Sequence, residues 1–466
     1  MRVALGIITA ALCVFLPLQR AANAFETRRE LLSDGVRLIM KPEPNTELVA
    51  VSICVRTEPD RTPIEDAAGE LVARSLFSSS FNRSQERMAA GISQVGGSIE
   101  TVRTASHVNV TCVALPAQLR EAIFLLCEVL KNAEFGGLER VRAQLLAEQQ
   151  RGGLDVTAGL DILRRELQAR PDLADLPFRR VTREQAVAYF HSRYVPERTA
   201  IAVVGRFDAE AVHTAFRDAL TDFDRPAVRG IRTAPLYSHA TNYPTRVLQQ
   251  AGTSGYALAA TPAPSLSDPD YPAFIVLDSV LGEGHASRLF QRLRDAKGIG
   301  YNVGSSWQRS LSDPLVSYLQ WEARSSGSPS RGVRAAEEPA AGASGPPVQA
   351  ATGAETPSAP SAAPAALTAE NALRLLVAQI DGLVSDPPTD AELRRARSVA
   401  VGREALRHER ARDRAFLLAW YEAMGAPAGF DDELRARIAA VTREDVMRAA
   451  RNYLSPRACV LIVPGR

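Results

Sequence analysis

In the stretch AAGELVARSLF, Ala67 to Phe77, Glu70 and Arg74 stand four residues apart with the acid first. On a helix that spacing puts both side chains on one face, as an ion pair worth ~0.2–0.5 kcal/mol when exposed. A helix carrying His-x-x-Glu-His uses the same spacing for other chemistry: two imidazoles bind zinc and the glutamate between them activates a metal-bound water. Here the three places read Glu70, Ala73 and Arg74. An alanine has no group to take a proton, and an arginine is a cation that repels a divalent metal, so this stretch lacks what that chemistry needs. None of His107, His191, His213, His239, His285 and His408 forms a His-x-x-Glu-His or His-Glu-x-x-His set elsewhere.

A second constellation is LRDAKGIGYNV, where Arg294 precedes Tyr301 across a Gly-x-Gly turn from helix end to strand start. A guanidinium donates charge-assisted hydrogen bonds to peptide carbonyls or a carboxylate, and a phenol can donate to a developing oxyanion. The spacing alone favours a solvated arginine at a helix C-terminus and a tyrosine packing its ring on a strand.

These side chains need a scaffold, and the 466 residues, 46% hydrophobic and 23% charged, suffice for more than one core. With 55 basic and 53 acidic residues the formal charge is +2, which gives no electrostatic case for nucleic acid. The N-terminus has Arg2 ahead of an uncharged run from Ala4 to Leu18 and then Ala22-Asn23-Ala24, the pattern of a cleaved export signal over residues 1–24. The run is shorter than the ~18–20 residues of a spanning helix, so a membrane anchor is the weaker reading and applies only if the signal is uncut. The expected location is outside the cytoplasm, in a periplasm. Cys54, Cys112, Cys127 and Cys459 form no C-x-x-C pair; one disulfide, such as Cys54 to Cys112, and buried free thiols are both open.

The architecture is written in a repeat. VTREQAVAYFHSRYVPERTAIAVVGR, Val181 to Arg206, lies without gaps on VTREDVMRAARNYLSPRACVLIVPGR, Val441 to Arg466, and each copy reads as a capped helix, a turn with proline and a β-branched strand. Two tandem domains of one α+β fold follow, each a mainly antiparallel sheet with helices on one face. The expected boundaries are 25–228 for the first, 229–245 for a linker and 246–466 for the second. Within the second, 325–366 is Ala, Pro, Ser and Gly with little to bury, an inserted disordered loop.

The chain resembles the insulinase and pitrilysin type of zinc metallopeptidase, in the branch of mitochondrial processing peptidase and its bacterial relatives. The resemblance is carried by VRLIMKP and AVSICVR, AGELVARSLF, QVGGSIETVRTASHVNV, YVPERTAIAVVG and SRLFQRLRDAKGIGYNVGSS, in that order. It implies tandem two-layer α+β domains that close over an extended peptide. It also implies that Glu70 and Arg74 occupy the two His places, Ala73 the place of the catalytic Glu, and Glu148 the place of the third ligand, so that a salt-bridge cluster stands where zinc would be. A metal held by Glu70, Glu148 and another side chain is the alternative. Arg294 and Tyr301 match a pair that the family's second domain presents to substrate. The implied function is the noncatalytic, peptide-binding subunit of a heterodimer whose zinc-bearing homologous partner supplies the metal, this chain binding no cofactor and the substrate being an unstructured peptide. A scaffold protein of the same fold without a role in proteolysis is the competing reading, and a self-sufficient metallopeptidase the third.

Overall fold

The computed structural model describes residues 26–464 apart from 33–34, 59, 61, 152–158, 160–161, 164–166, 168–175, 224–244, 251–252, 296–298, 300–301, 308, 310–313, 323–366 and 456. The expected export signal, nearly all of the linker and the insertion lie outside the described residues, as does Tyr301. The first half runs through β1 (Arg28–Leu31), β2 (Arg37–Pro42), β3 (Val49–Arg56), α1 (Pro63–Ser75) and α2 (Gln85–Val95) to the hairpin of β4 (Ser98–Arg103) and β5 (His107–Ala114). It continues with α3 (Leu119–Asn132), α4 (Leu138–Arg151), α5 (Arg183–Arg193), β6 (Thr199–Gly205) and α6 (Ala209–Ala219). The second half contains β7 (Arg246–Gln250), β8 (Ser254–Thr261), α7 (Tyr271–Leu281), β9 (Val303–Ser306) and β10 (Leu315–Glu322). Then come α8 (Ala369–Ser385), α9 (Asp390–Leu406), α10 (Ala411–Ala423), α11 (Phe430–Ala440), α12 (Arg443–Tyr453) and β11 (Ala458–Pro464).

The sheet orders are β1-β2-β6-β3-β5-β4 and β7-β11-β8-β10-β9. Without β1 they match strand for strand, down to one parallel pair in each, β2 with β6 and β7 with β11. The repeated sequence explains the local match. Thr182 and Thr442 each cap the following helix in a reciprocal box, with Gln185 and Asp445 as the returning side chains. The strands that follow, β6 and β11, are the matched neighbours of β3 and β8.

Each sheet carries its own half's helices on one face, and its other face is covered by the other half. On the first sheet, Val51, Ile53, Ile201 and Val203 pack in one core with α1 and α3, whereas Ala50, Cys54, Ala200 and Ala202 belong to a second core with Leu417 and Trp420 of α10. The small residues on that second face let α10 lie close against β3 and β6. Reciprocally, Leu163 and Leu167, helical residues of the first half, pack on Leu258, Ala260, Val460 and Ile462 of the second sheet. Gly159 is needed there, since a Cβ would come within 2.2 Å of the Leu258 Cδ1. Burial on both faces is why β3 and β6 read as continuous apolar runs instead of alternating.

The register also settles the cysteines. Cys54 faces Asn109 and Cys112 faces Val51, so the two thiols point to opposite faces of the sheet and enter different cores. Cys54, Cys112, Cys127 and Cys459 are all buried free thiols, and no Cys54–Cys112 bridge forms. Among the described residues no helix is long and apolar enough to cross a membrane.

Candidate functional site

Helix α1 is started by Thr62, whose hydroxyl accepts from the Glu65 amide, with Pro63 in the first turn and Glu65 and Asp66 at the positive end of the dipole. Its inner face buries Ala67, Ala68, Leu71 and Val72, and Ala73 joins them at 4% exposure, a methyl in the core. Glu70 and Arg74 fall on its other side. Arg74 donates through Nε to Glu70 Oε1 at 2.7 Å and through Nη1 to both oxygens of Glu148 on α4, at 3.0 and 2.9 Å. Glu70, Arg74 and Glu148 are thus brought together, as a salt bridge across two helices. Burial acts to lower the Arg74 pKa, but its two carboxylates more than reverse this and raise it.

A residue that sequence reasoning passed over anchors this group. Arg103 of β4 donates to Asp60 at 2.5 Å and to Asp66 at 2.8 Å, and stands 3.4 Å from the second oxygen of Glu70. Burial acts to lower its pKa, yet Tyr189, Asp66, Asp60 and Glu70 raise it well above the usual value. The result is a continuous charge chain, Glu148–Arg74–Glu70–Arg103–Asp66, that neutralises Glu70 from two sides. Its sequence signal was a glycine in a helical pattern. A Cβ on Gly69 would lie 2.6 Å from the Tyr189 hydroxyl and 2.7 Å from the Arg103 Nε, so the glycine makes the groove in which the guanidinium crosses α1. Gly69→Ala would gain ~1 kcal/mol of helix propensity in isolation. Here we expect a net loss of ~1–3 kcal/mol from overpacking, read as a lower urea midpoint; an unchanged or higher midpoint would contradict this packing.

In the second half, Arg294 lies on a π-helical segment, Phe290–Asp295, where an α-helix was expected, and its guanidinium sits 4.6 Å from the centre of the Phe290 ring. Buried Arg288 fixes the start of this segment, donating to Glu392 at 2.9 and 3.1 Å and to the Asp386 and Pro387 carbonyls at 2.8 and 3.1 Å. Glu392, although burial opposes it, is held down to about 2 by Arg288 and the Thr389 amide. The strand that follows position 301 is fastened to α7. Ser305 N donates to the Gly282 carbonyl at 3.1 Å, and Ser305 Oγ donates to buried Asp278. Burial, and then neighbouring Glu283, push the Asp278 carboxyl up to about 7, against the Ser305 hydrogen bond.

Comparison with known proteins bears on the fold that carries these residues. Residues 180–326 match the family described as "Peptidase M16 inactive domain". An uncharacterized zinc protease of Mycobacterium leprae is 25% identical over 302 residues, 62% of this chain and 67% of that protein. One of Streptomyces coelicolor is 23% identical over 465 residues, 94% of this chain and 89% of that protein. Among solved structures, a protease from Helicobacter pylori superimposes with a TM-score of 0.72 at 16% identity, covering 95% of this chain and all (100%) of that one. The peptidase M16 inactive domain structure from Pseudomonas fluorescens gives 0.73 at 15% identity, covering 95% and 98%.

Proposed function

We propose that this chain, an M16-type peptidase homologue in which the zinc motif is replaced, is the noncatalytic, peptide-binding subunit of an exported heterodimeric zinc metallopeptidase. The observation that carries the reading is the Arg74 guanidinium held between Glu70 and Glu148. A cation already occupies the place of the metal, and Ala73 offers no base. The described residues contain no group of three or more His, Cys, Asp or Glu disposed to hold a metal ion. On this reading zinc belongs to a homologous partner, and this chain supplies the second wall of the chamber. β4 is the last strand of its sheet, beside the charge chain, so its outer edge is where an extended peptide would add a strand. Arg294 holds the peptide through carbonyl or carboxylate oxygens, and the Tyr301 hydroxyl donates to the oxygen on which negative charge develops.

The test is steady-state peptide cleavage by the complex of this chain with the zinc-bearing homologue that isolates with it. Tyr301→Phe should lower kcat by on the order of 10²-fold, and Arg294→Ala should act mainly on KM, with complex formation by gel filtration unchanged. Wild-type kinetics in both variants would remove the substrate-holding role and leave a scaffold of the same fold.

A further inference from the structure

A cavity of about 240 Å³ opens between the first sheet and α10, on the face opposite the charge chain of Glu70 and Arg103. Its floor is made by cross-strand pairs of β4 and β5, Glu100 with Thr111 and Val102 with Asn109. Asn109 and Thr111 are buried, polar side chains where two packed layers would ordinarily place apolar ones. Its wall is aromatic, Phe416 and Trp420 of α10 stacked with centroids 6.3 Å apart. The Nε1 of Trp420 is buried and has no hydrogen-bond partner among the described residues.

Charge is unevenly divided along the cavity. At its deep end Arg309 and Arg407 share one carboxylate, Glu404, which is fully buried at 0% side-chain exposure, so that end holds one positive charge in excess. Arg309 reaches it from a backbone φ of 59°, the left-handed region that an arginine rarely adopts, so its placement is bought with local strain. At the rim the balance reverses. Arg412 is shared between Glu100 at 2.6 Å and Asp413 at 3.5 Å, leaving one negative charge in excess among partly exposed groups.

We propose that this cavity binds a small zwitterion with a free ammonium, a free carboxylate and a short apolar body, of amino-acid or dipeptide size. The carboxylate meets Arg309 and Arg407, the ammonium meets Glu100 and Asp413, and the apolar body lies on Phe416, Trp420 and Val102. This site is independent of the zinc-bearing partner and of Arg294.

The test is isothermal titration of the purified full chain at moderate salt with L-leucine, L-phenylalanine and L-leucyl-L-leucine, each beside its N-acetylated and C-amidated forms. At least one free zwitterion should bind saturably, and blocking either end should weaken binding by ~10-fold or more, the loss expected for one partly desolvated charge pair. Comparison of the leucine and leucyl-leucine arms separates an amino acid from a dipeptide. Glu100→Gln, on an exposed side chain of an edge strand, should weaken the free zwitterion and leave the N-acetylated form unaffected. No binding of any probe at millimolar concentration would overturn the proposal, as would equal affinity for blocked and free forms or an unchanged affinity in Glu100→Gln.

Discussion

Replacing Arg103 by methionine should lower the free energy of unfolding by about 2–4 kcal/mol, because it removes a guanidinium that joins Asp60, Asp66 and Glu70. Asp60 is only 4% exposed and Arg103 itself 10%, so the buried carboxylate loses its shortest charge partner and keeps the longer contact to Arg193 at 3.6 Å. Methionine fills much of the groove over Gly69, so little of the loss comes from a cavity. Arg74 provides the internal control. Its side chain is 46% exposed, and Arg74→Met should cost under ~1 kcal/mol, as exposed pairs do. Urea unfolding of both variants separates the two values. A cost at Arg103 no larger than that at Arg74 would mean that the buried network contributes nothing beyond a surface pair.

Asp278→Asn should stabilise the protein by ~2–4 kcal/mol at pH 8 and make little difference near pH 4. In the unfolded chain the carboxyl titrates near ~3.9, whereas in the fold burial and Glu283 push it up to about 7. The native state thus prefers the protonated acid. Its stabilising contribution is fully present below the unfolded value and is lost as pH rises through about 7, where a buried carboxylate must be tolerated. Asparagine keeps an acceptor for the Ser305 hydroxyl and carries no charge. The measurement is chemical unfolding of both proteins from pH 4 to pH 8. A difference that does not grow with pH would show that Asp278 titrates as an ordinary exposed acid.

How far the sequence foretells this structure depends on the distance over which residues act. The Val181 and Val441 repeat predicts two like domains because capping boxes and β-branched strands are local, and apart from β1 the observed sheets match strand for strand. The Glu70–Arg74 pair is likewise local, one turn of α1. Arg103 was legible only indirectly, through Gly69, because its partners lie on a preceding loop and helix and an arginine in an edge strand normally points to solvent. The exchange of α10 and Leu163 between sheets was hidden for a related reason: the lack of alternation in TAIAVVG says that both faces are covered but not by what. The polar floor at Asn109 and Thr111 carried no sequence signal at all, since its meaning depends on Arg309 and Trp420 arriving from the other half.

That this chain does not itself carry the catalytic metal is tested most directly by metal analysis of the purified full chain, made together with an assay for cleavage of an unstructured peptide at neutral pH. With Glu70, Ala73 and Arg74 in place of both imidazoles and the base, and Arg74 bonded to Glu148, the expected result is zinc far below one per chain and no cleavage. One tightly held zinc per chain, lost on Glu148→Ala, would contradict it.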